Sequence, residues 1–359
     1  MRFLISGYYG FGNVGDEALL QILVAQLKTR YPLAAIDALS ATPDETAHEL
    51  GIAATPRWDQ GAVRDAIAAA DVVLSGGGGL FQNATSLKSL LYYAGIVRAA
   101  LRAGKKTMVF AQSVGPLDFF GKQALRECCK GLTLATVRDE RSRALLAPLV
   151  PTAEVVRTAD LAFLYDPPEP PPDLADAGLG AASDPLVLVC ARKTAHFNDG
   201  VAVLAAAVDR LTERYGARVA FVPFGGTPDA EAATAIIRKC RTKPMLVALD
   251  GVDEIAAAIA RARFVVGVRL HALIFAIRFG VPFLYVPYDP KVSGLIDDVR
   301  YPLDPLWAPG ARTAPGRTEA LVDDAWSRRD ELAVRLARAS AEQRGLAERN
   351  FEVLAELMR

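Results

Sequence analysis

Arg269, His271 and Lys291 are the residues whose types and spacing could carry chemistry. They lie in residues 264–291, FVVGVRLHALIFAIRFGVPFLYVPYDPK, an otherwise apolar stretch. A guanidinium and an imidazole at the mouth of an apolar helix describe an anion site with an acid or base in it. In isolation an R-x-H pair reads more simply as a capping arginine and a core histidine. The elements around the pair argue for more. Residues 264–266 read as a buried strand ending at Gly267. Residues 270–279 read as a helix stopped by Gly280, and residues 281–286 as the next buried strand, followed by Tyr288, Asp289 and Lys291. The polar groups of this strand–turn–helix–strand unit thus collect at the C-terminal ends of strands, where open α/β sheets bind ligands. Arg269 and His271 can address one ligand if Arg269 stands just before the helix or if the first turn is irregular. Gly267 makes the first arrangement accessible.

At 359 residues the chain has a length prior of roughly two domains. Hydrophobic residues make up 52% and charged residues 23%, an ordinary globular composition. The 41 basic and 41 acidic residues balance, so no net charge is available for nucleic acid or anionic lipid, and any anion recognition must be local. Cys128, Cys129, Cys190 and Cys240 show no metal spacing, no signal peptide precedes the first strand, and no apolar run reaches the ~20 residues of a membrane span. These features predict reduced thiols in a cytoplasmic protein without a bound metal.

Strand patterns alternate with helical ones from residue 2 to about residue 139, and again from residue 186 to residue 286, which predicts parallel sheets built of βαβ units. Between the two series lies DPPEPPPD, residues 166–173, whose five prolines exclude helix and inner strand. The expected architecture is two Rossmann-like domains facing a cleft. The N-terminal domain covers residues 1–165, a Pro-rich linker 166–184, the C-terminal domain 185–300, and a final loop and helix 301–359. The charged helix expected over 325–358 would cross the domain junction.

Gly10-x-Gly12-x-x-Gly15 formally matches the dinucleotide fingerprint, with Asp37 as a ribose-binding acid. Several details oppose that reading. Extra loop residues (7–10) separate the strand from the motif, and Asp16 and Glu17 would repel a pyrophosphate at the helix N-terminus. Asp16 could equally be a helix cap. The run Ser75-Gly76-Gly77-Gly78-Gly79 after a strand allows close backbone approach to a ligand or to the facing domain, with Gly77 and Gly78 at its centre. Gln82, Asn83, Thr85 and Ser86 then offer uncharged groups suited to sugar hydroxyls.

The combination of GxxGxGNxGDEA near the N-terminus, SGGGGLFQ, TVRDxRS around Arg138, GVRLHALIFA and YDPK resembles the polysaccharide pyruvyl transferases, CsaB type. The resemblance covers residues 1 to about 300. It implies a fold similar to the GT-B glycosyltransferases and transfer of the enolpyruvyl group of phosphoenolpyruvate to a sugar, forming a ketal and releasing phosphate. In the CsaB branch the sugar is N-acetylmannosamine on a lipid-linked cell-wall polymer precursor that serves S-layer anchoring, which implies peripheral contact with the inner face of the membrane. Phosphoenolpyruvate is then a donor substrate and no cofactor is needed. The chemistry asks Arg138 and Arg269 to anchor the donor anions, and His271 or Lys291 to protonate the methylene. Lys291 or Arg269 would meet the phosphate charge, and Asp16 would take protons from the acceptor. One departure stands out: Asn83 occupies a position where this branch is expected to carry Asp. Two other classes fit the same architecture. One is a nucleotide-sugar-dependent glycosyltransferase, and the other a non-catalytic carbohydrate-binding protein.

Overall fold

The computed structural model describes residues 1–84, 86–180, 183–194, 196–311 and 313–359. Thr85 of the polar stretch, residues 181–182 of the linker and residue 312 lie outside them. The chain forms two compact units. One comprises Met1–Leu164 with Gln343–Arg359, and the other Tyr165–Glu342. The division falls between Leu164 and Tyr165, and the Pro-rich segment that follows holds no regular element before residue 186 among the described residues.

The first unit runs β1 (Arg2–Tyr9), α1 (Val14–Arg30), β2 (Ala35–Ser40), α2 (Pro43–Leu50), β3 (Ala53–Pro56), α3 (Gln60–Ala69), β4 (Val72–Ser75), β5 (Gly78–Phe81), α4 (Leu87–Arg102), β6 (Lys106–Val114), α5 (Phe119–Cys128), β7 (Leu134–Val137), α6 (Glu140–Leu146) and β8 (Glu154–Arg157). Its sheet has the order β3-β2-β1-β4-β6-β7-β8, with β5 paired to β6. Every pairing is parallel. Helices cover both faces of such a sheet, so its inner strands are buried and mostly apolar. VVLS of β4 is buried at all four positions, and β6 is buried at every position after Lys106. The strand order reverses between β1 and β4, a topological switch point of the kind at which open α/β sheets bind ligands.

The second unit contains β9 (Leu186–Cys190), α7 (Phe197–Tyr215), β10 (Arg218–Phe221), α8 (Thr227–Ile237), β11 (Met245–Leu246), α9 (Gly251–Arg261), β12 (Phe264–Gly267), α10 (Leu270–Arg278), β13 (Phe283–Tyr285), α11 (Pro290–Asp298), α12 (Arg317–Ser327) and the start of α13 (Arg329–Met358). Its parallel sheet has the order β11-β10-β9-β12-β13, with the reversal between β9 and β12.

Four local features differ from the sequence expectation. β1 continues past Ser6 to Tyr9 through a register shift, so the glycine loop starts later than its first glycine suggests. The short strands β3 and β5 were masked by alanine, proline and glycine, which pattern poorly as strand. The segment after β13 turns into α11. The expected single C-terminal helix is two, divided at Arg328. α13 continues from the second unit into the first, where Phe351 packs edge-on against Phe110 at 5.2 Å. Beside it the buried Asn350 accepts from the Thr158 hydroxyl (2.8 Å) and donates to the Ala159 carbonyl (3.1 Å).

Candidate active site

Register explains the cluster in the second unit. Cys190 pairs with Gly267, and Gly267 with Tyr285, across the three strands β9, β12 and β13. Arg192 and Arg269 therefore each stand two residues beyond the same line. Tyr288 stands three beyond it. Arg269 is extended (φ −84°, ψ 131°) and lies just before α10, as the first of the two arrangements requires, with half-buried His271 in the first turn. The Arg269 fork is turned to a partner of its own unit. Its Nε and Nη2 donate to Asp229 at 2.7 and 2.6 Å, and Asp229 is buried in the first turn of α8. Gly225 has no side chain because a Cβ there would collide with the guanidinium. The fork expected to anchor a donor bidentately is thus occupied by Asp229.

Lys291 stands in the first turn of α11, whose N-cap is Asp289, and its Nζ lies 3.6 Å from the Asp289 carboxylate. A cation at a helix N-terminus opposes the helix dipole. The same conflict occurs at α10, where the first turn holds no acid and Arg269 and His271 stand at its start. Sequence reading passed over Arg192. Its Nη1 donates to the Tyr288 hydroxyl at 3.0 Å, and its guanidinium lies 5.2 Å from the ring centroid, with Lys291 Nζ at 5.9 Å from the same ring. A cation directly after an apolar strand was the available signal, by the reasoning that selected Arg269.

In the first unit, Asp16 stands at the β1/β4 switch point. The cap of α1 is Asn13, whose side chain accepts from the Gly15 N–H (3.3 Å) and donates to Asp16 Oδ2 (2.5 Å). Asp16 sits one turn further in, and Gly78 (φ +96°) comes so close that a Cβ there would be 2.8 Å from Asp16 Oδ1. A Cβ at Gly76 would strike the Tyr9 hydroxyl, and one at Gly77 would press on Leu19 at 3.3 Å. The close approach that the run permits is therefore to side chains of its own unit, Gly77 and Gly78 included. Gly79 alone of the four meets nothing.

Gln82 is half-buried just after β5. Asn83 accepts from the Asp118 N–H at 3.1 Å and fastens the start of α5, where Asp118 is the N-cap. The Gly121 N–H and the Asn83 amide hold the Asp118 carboxyl below its ordinary range. A second carboxylate at position 83 would face it, which accounts for the amide. Arg138 is buried at 7% exposure, its Nη1 donating to Asp160 at 2.8 Å with Asp139 at 3.9 Å.

The dinucleotide question closes at Glu17. Its carboxylate accepts from the N–H groups of Gly10 (3.0 Å), Phe11 (3.1 Å) and Gly12 (3.2 Å), filling the cradle that a pyrophosphate would need. Burial raises the Glu17 carboxyl above its ordinary value, opposed by the Gly10 and Phe11 N–H groups. Asp37 accepts from the Thr55 hydroxyl of neighbouring β3 at 2.9 Å. Among the described residues no His, Cys, Asp or Glu cluster could hold a metal ion, and no helix is long and apolar enough to cross a membrane.

No curated protein sequence matches the chain. Solved structures share its fold at low identity. A glycosyltransferase from Rickettsia africae is 12% identical with a TM-score of 0.61, covering 100% of this chain and 98% of that one. An Anabaena protein in complex with UDP-glucose is 12% identical with a TM-score of 0.59, covering 99% and 96%. UDP-GlcNAc 2-epimerase from Neisseria meningitidis, bound to UDP-GlcNAc, is 10% identical with a TM-score of 0.62, covering 99% and 100%. The fold is thus that of the GT-B glycosyltransferases and epimerases. The profile of the polysaccharide pyruvyl transferases matches residues 13–290, a span that opens on the Asn13 cap and runs through Arg138, Arg269 and His271 to the threshold of Lys291, and on that match the chain belongs to the polysaccharide pyruvyl transferase family.

Proposed function

We propose that the protein transfers the enolpyruvyl group of phosphoenolpyruvate to two hydroxyls of one sugar, forming a pyruvate ketal and releasing inorganic phosphate. The observation that carries this reading is the electropositive edge of the second unit. Neither first turn of α10 or α11 holds an acid, Arg269 and Lys291 stand at their starts, and Arg192 joins them. Asp229 and the N-cap Asp289 offset only two of these three cations, which leaves positive charge against the helix dipoles. A small multiply charged anion relieves that conflict. Its carboxylate and phosphate suit Arg192, Lys291 and the Nη1 edge of Arg269. His271 then delivers a proton to the methylene carbon, and the C2 carbon gains oxocarbenium character. One sugar hydroxyl adds at C2, the C–O bond to phosphate breaks, and the second hydroxyl closes the ketal. One hydroxyl proton is balanced by the new methyl group and the other leaves with phosphate. Asp16 is the base proposed for the acceptor. Family membership supports an acceptor within a polysaccharide or its precursor, and N-acetylmannosamine on a lipid carrier is the acceptor proposed, in the manner of the CsaB branch.

The test is incubation with phosphoenolpyruvate and a panel of free, nitrophenyl-linked and lipid-linked amino sugars, scored for phosphate and for the ketal by mass. Phosphate release matched by ketal is expected. The Anabaena and Neisseria structures hold UDP-sugars, so UDP-glucose and UDP-GlcNAc belong in the same panel. Nucleotide release without phosphate would replace this reading with glycosyl transfer. Binding without any turnover would leave a carbohydrate-binding protein.

A further inference from the structure

Arg57 follows β3 directly and is 3% exposed, yet among the described residues no carboxylate pairs with it. Its Nη1 donates to the Gly7 carbonyl (2.8 Å) and its Nη2 to the Tyr93 hydroxyl (3.0 Å), while its Nε is buried without a partner. Burying a guanidinium this way is costly. The charge is met by rings: its Cζ lies 4.9 Å from the centroids of Phe11 and Trp58, 4.7 Å from Tyr92 and 5.4 Å from Tyr93. These rings build outward into an exposed surface. Tyr8 stacks on Phe11 (4.2 Å, 13°), Phe11 stands edgewise to Trp58 (6.4 Å, 74°), and Trp58 leans on Tyr92 (5.6 Å, 50°). Trp58 is 67% exposed, and Tyr8 and Phe11 are exposed as well. Exposed aromatic surface of this extent marks a binding site, and this one lies at the C-terminal edge of the sheet. It adjoins the first turn of α1, where Asp16 also stands, because Glu17 accepts from the Phe11 N–H at 3.1 Å.

We propose that Tyr8, Phe11, Trp58 and Tyr92 form the acceptor platform, on which a pyranose lays its C–H face, and that Arg57 is a positioning residue that sets the rings. This rests on the pyruvyl-transfer reading and adds the place and chemistry of acceptor recognition. The parallel Tyr8–Phe11 pair and the edgewise Trp58 make a corner, which fits one sugar ring better than a flat lipid surface. The neighbouring carboxylates of Asp16, Glu17 and Asp59 would also repel an anionic membrane.

Trp58 supplies the readout, since Trp307 and Trp326, the other two tryptophans, are buried. Acrylamide quenching of the protein is measured with and without methyl pyranosides of N-acetylmannosamine, N-acetylglucosamine, galactose and glucose. At least one sugar is expected to shield the quenchable tryptophan, and the effect should vanish in Trp58→Phe. In turnover, Trp58→Ala should raise the acceptor KM about tenfold, the loss of one aromatic contact, with the donor KM unchanged. Arg57→Lys should raise it in the same direction. Trp58 is surface-exposed, so its variants fold even if those of Arg57 do not. The proposal is overturned if no sugar shields Trp58 and Trp58→Ala leaves the acceptor KM unchanged. It is also overturned if phosphatidylcholine–phosphatidylglycerol vesicles, but no sugar, shield Trp58. Shielding by a sugar without any phosphate release from phosphoenolpyruvate would preserve the platform and remove the donor assignment.

Discussion

Asp229 changes what Arg269 can do. A guanidinium held bidentately by a buried carboxylate cannot swing, so in the proposed site it would meet the donor with a fixed edge in place of a flexible fork. In the proposed donor site anchoring then falls more heavily on Arg192, whose contacts are a phenol hydroxyl and a ring. Two substitutions should separate the roles. Arg192→Ala is expected to raise the donor KM by roughly tenfold or more, the scale of a lost charge-assisted hydrogen bond, with a smaller effect on kcat. His271→Gln should bind phosphoenolpyruvate as the parent does while turnover falls by about 10²-fold or more, as for a lost general acid. Calorimetric donor binding beside turnover decides both. Parental turnover in His271→Gln would return that imidazole to a packing role.

Elements of the second unit are tied by polar staples that can be titrated. Asp323 of α12 accepts from Arg210 (2.9 Å) and Tyr215 (2.7 Å) of α7, which holds its carboxyl at about 2. With the folded value below the ordinary 3.8, this staple stabilises the fold above pH 3.8 and is lost as pH falls through about 2. Asp323→Asn should therefore melt lower at pH 7, by about a degree or two because the pair is part-exposed, with the gap closing in acid. Calorimetry across pH 2–7 checks the sign. Most elements of this kind were legible: α7 and α9 carry periodic apolar positions, β9 is a continuous apolar run, and all three sit close to where the pattern placed them. α11 was not, because Pro290 and the short polar run before it look like a strand end, and a helix with proline at its start carries the same letters. The same limit applies to the site. Arg269, His271 and Lys291 were legible from their place after apolar strands, but Asp229 lies some 40 residues from Arg269 and only the fold makes it a partner. Gly76–Gly78 read as an opening for a ligand because sequence does not show that Tyr9, Leu19 and Asp16 fill the space.

On the scale of the molecule, the second unit is inserted into the first: residues 165–342 separate Met1–Leu164 from Gln343–Arg359. The returning segment contributes core, with Ala347, Phe351, Val353 and Leu354 buried. Phe351→Ala is expected to cost the first unit about 3–5 kcal/mol. Hydrogen exchange should show protection lost across residues 1–164 and kept across 165–342. Uniform loss in both would mean that the units unfold as one. The arrangement also has a consequence for synthesis. A chain leaves the ribosome in order, at roughly 5–20 residues per second, and domains close as they emerge. Here the earlier unit cannot close when its sheet is complete. The groove that receives Phe351 and Leu354 stays open on the order of ten seconds or more while the inserted unit is made. The half-finished unit is thus the stage at which a nascent chain most needs a chaperone, and a stop codon between residues 286 and 343 would leave two sheets made and one of them unsealed.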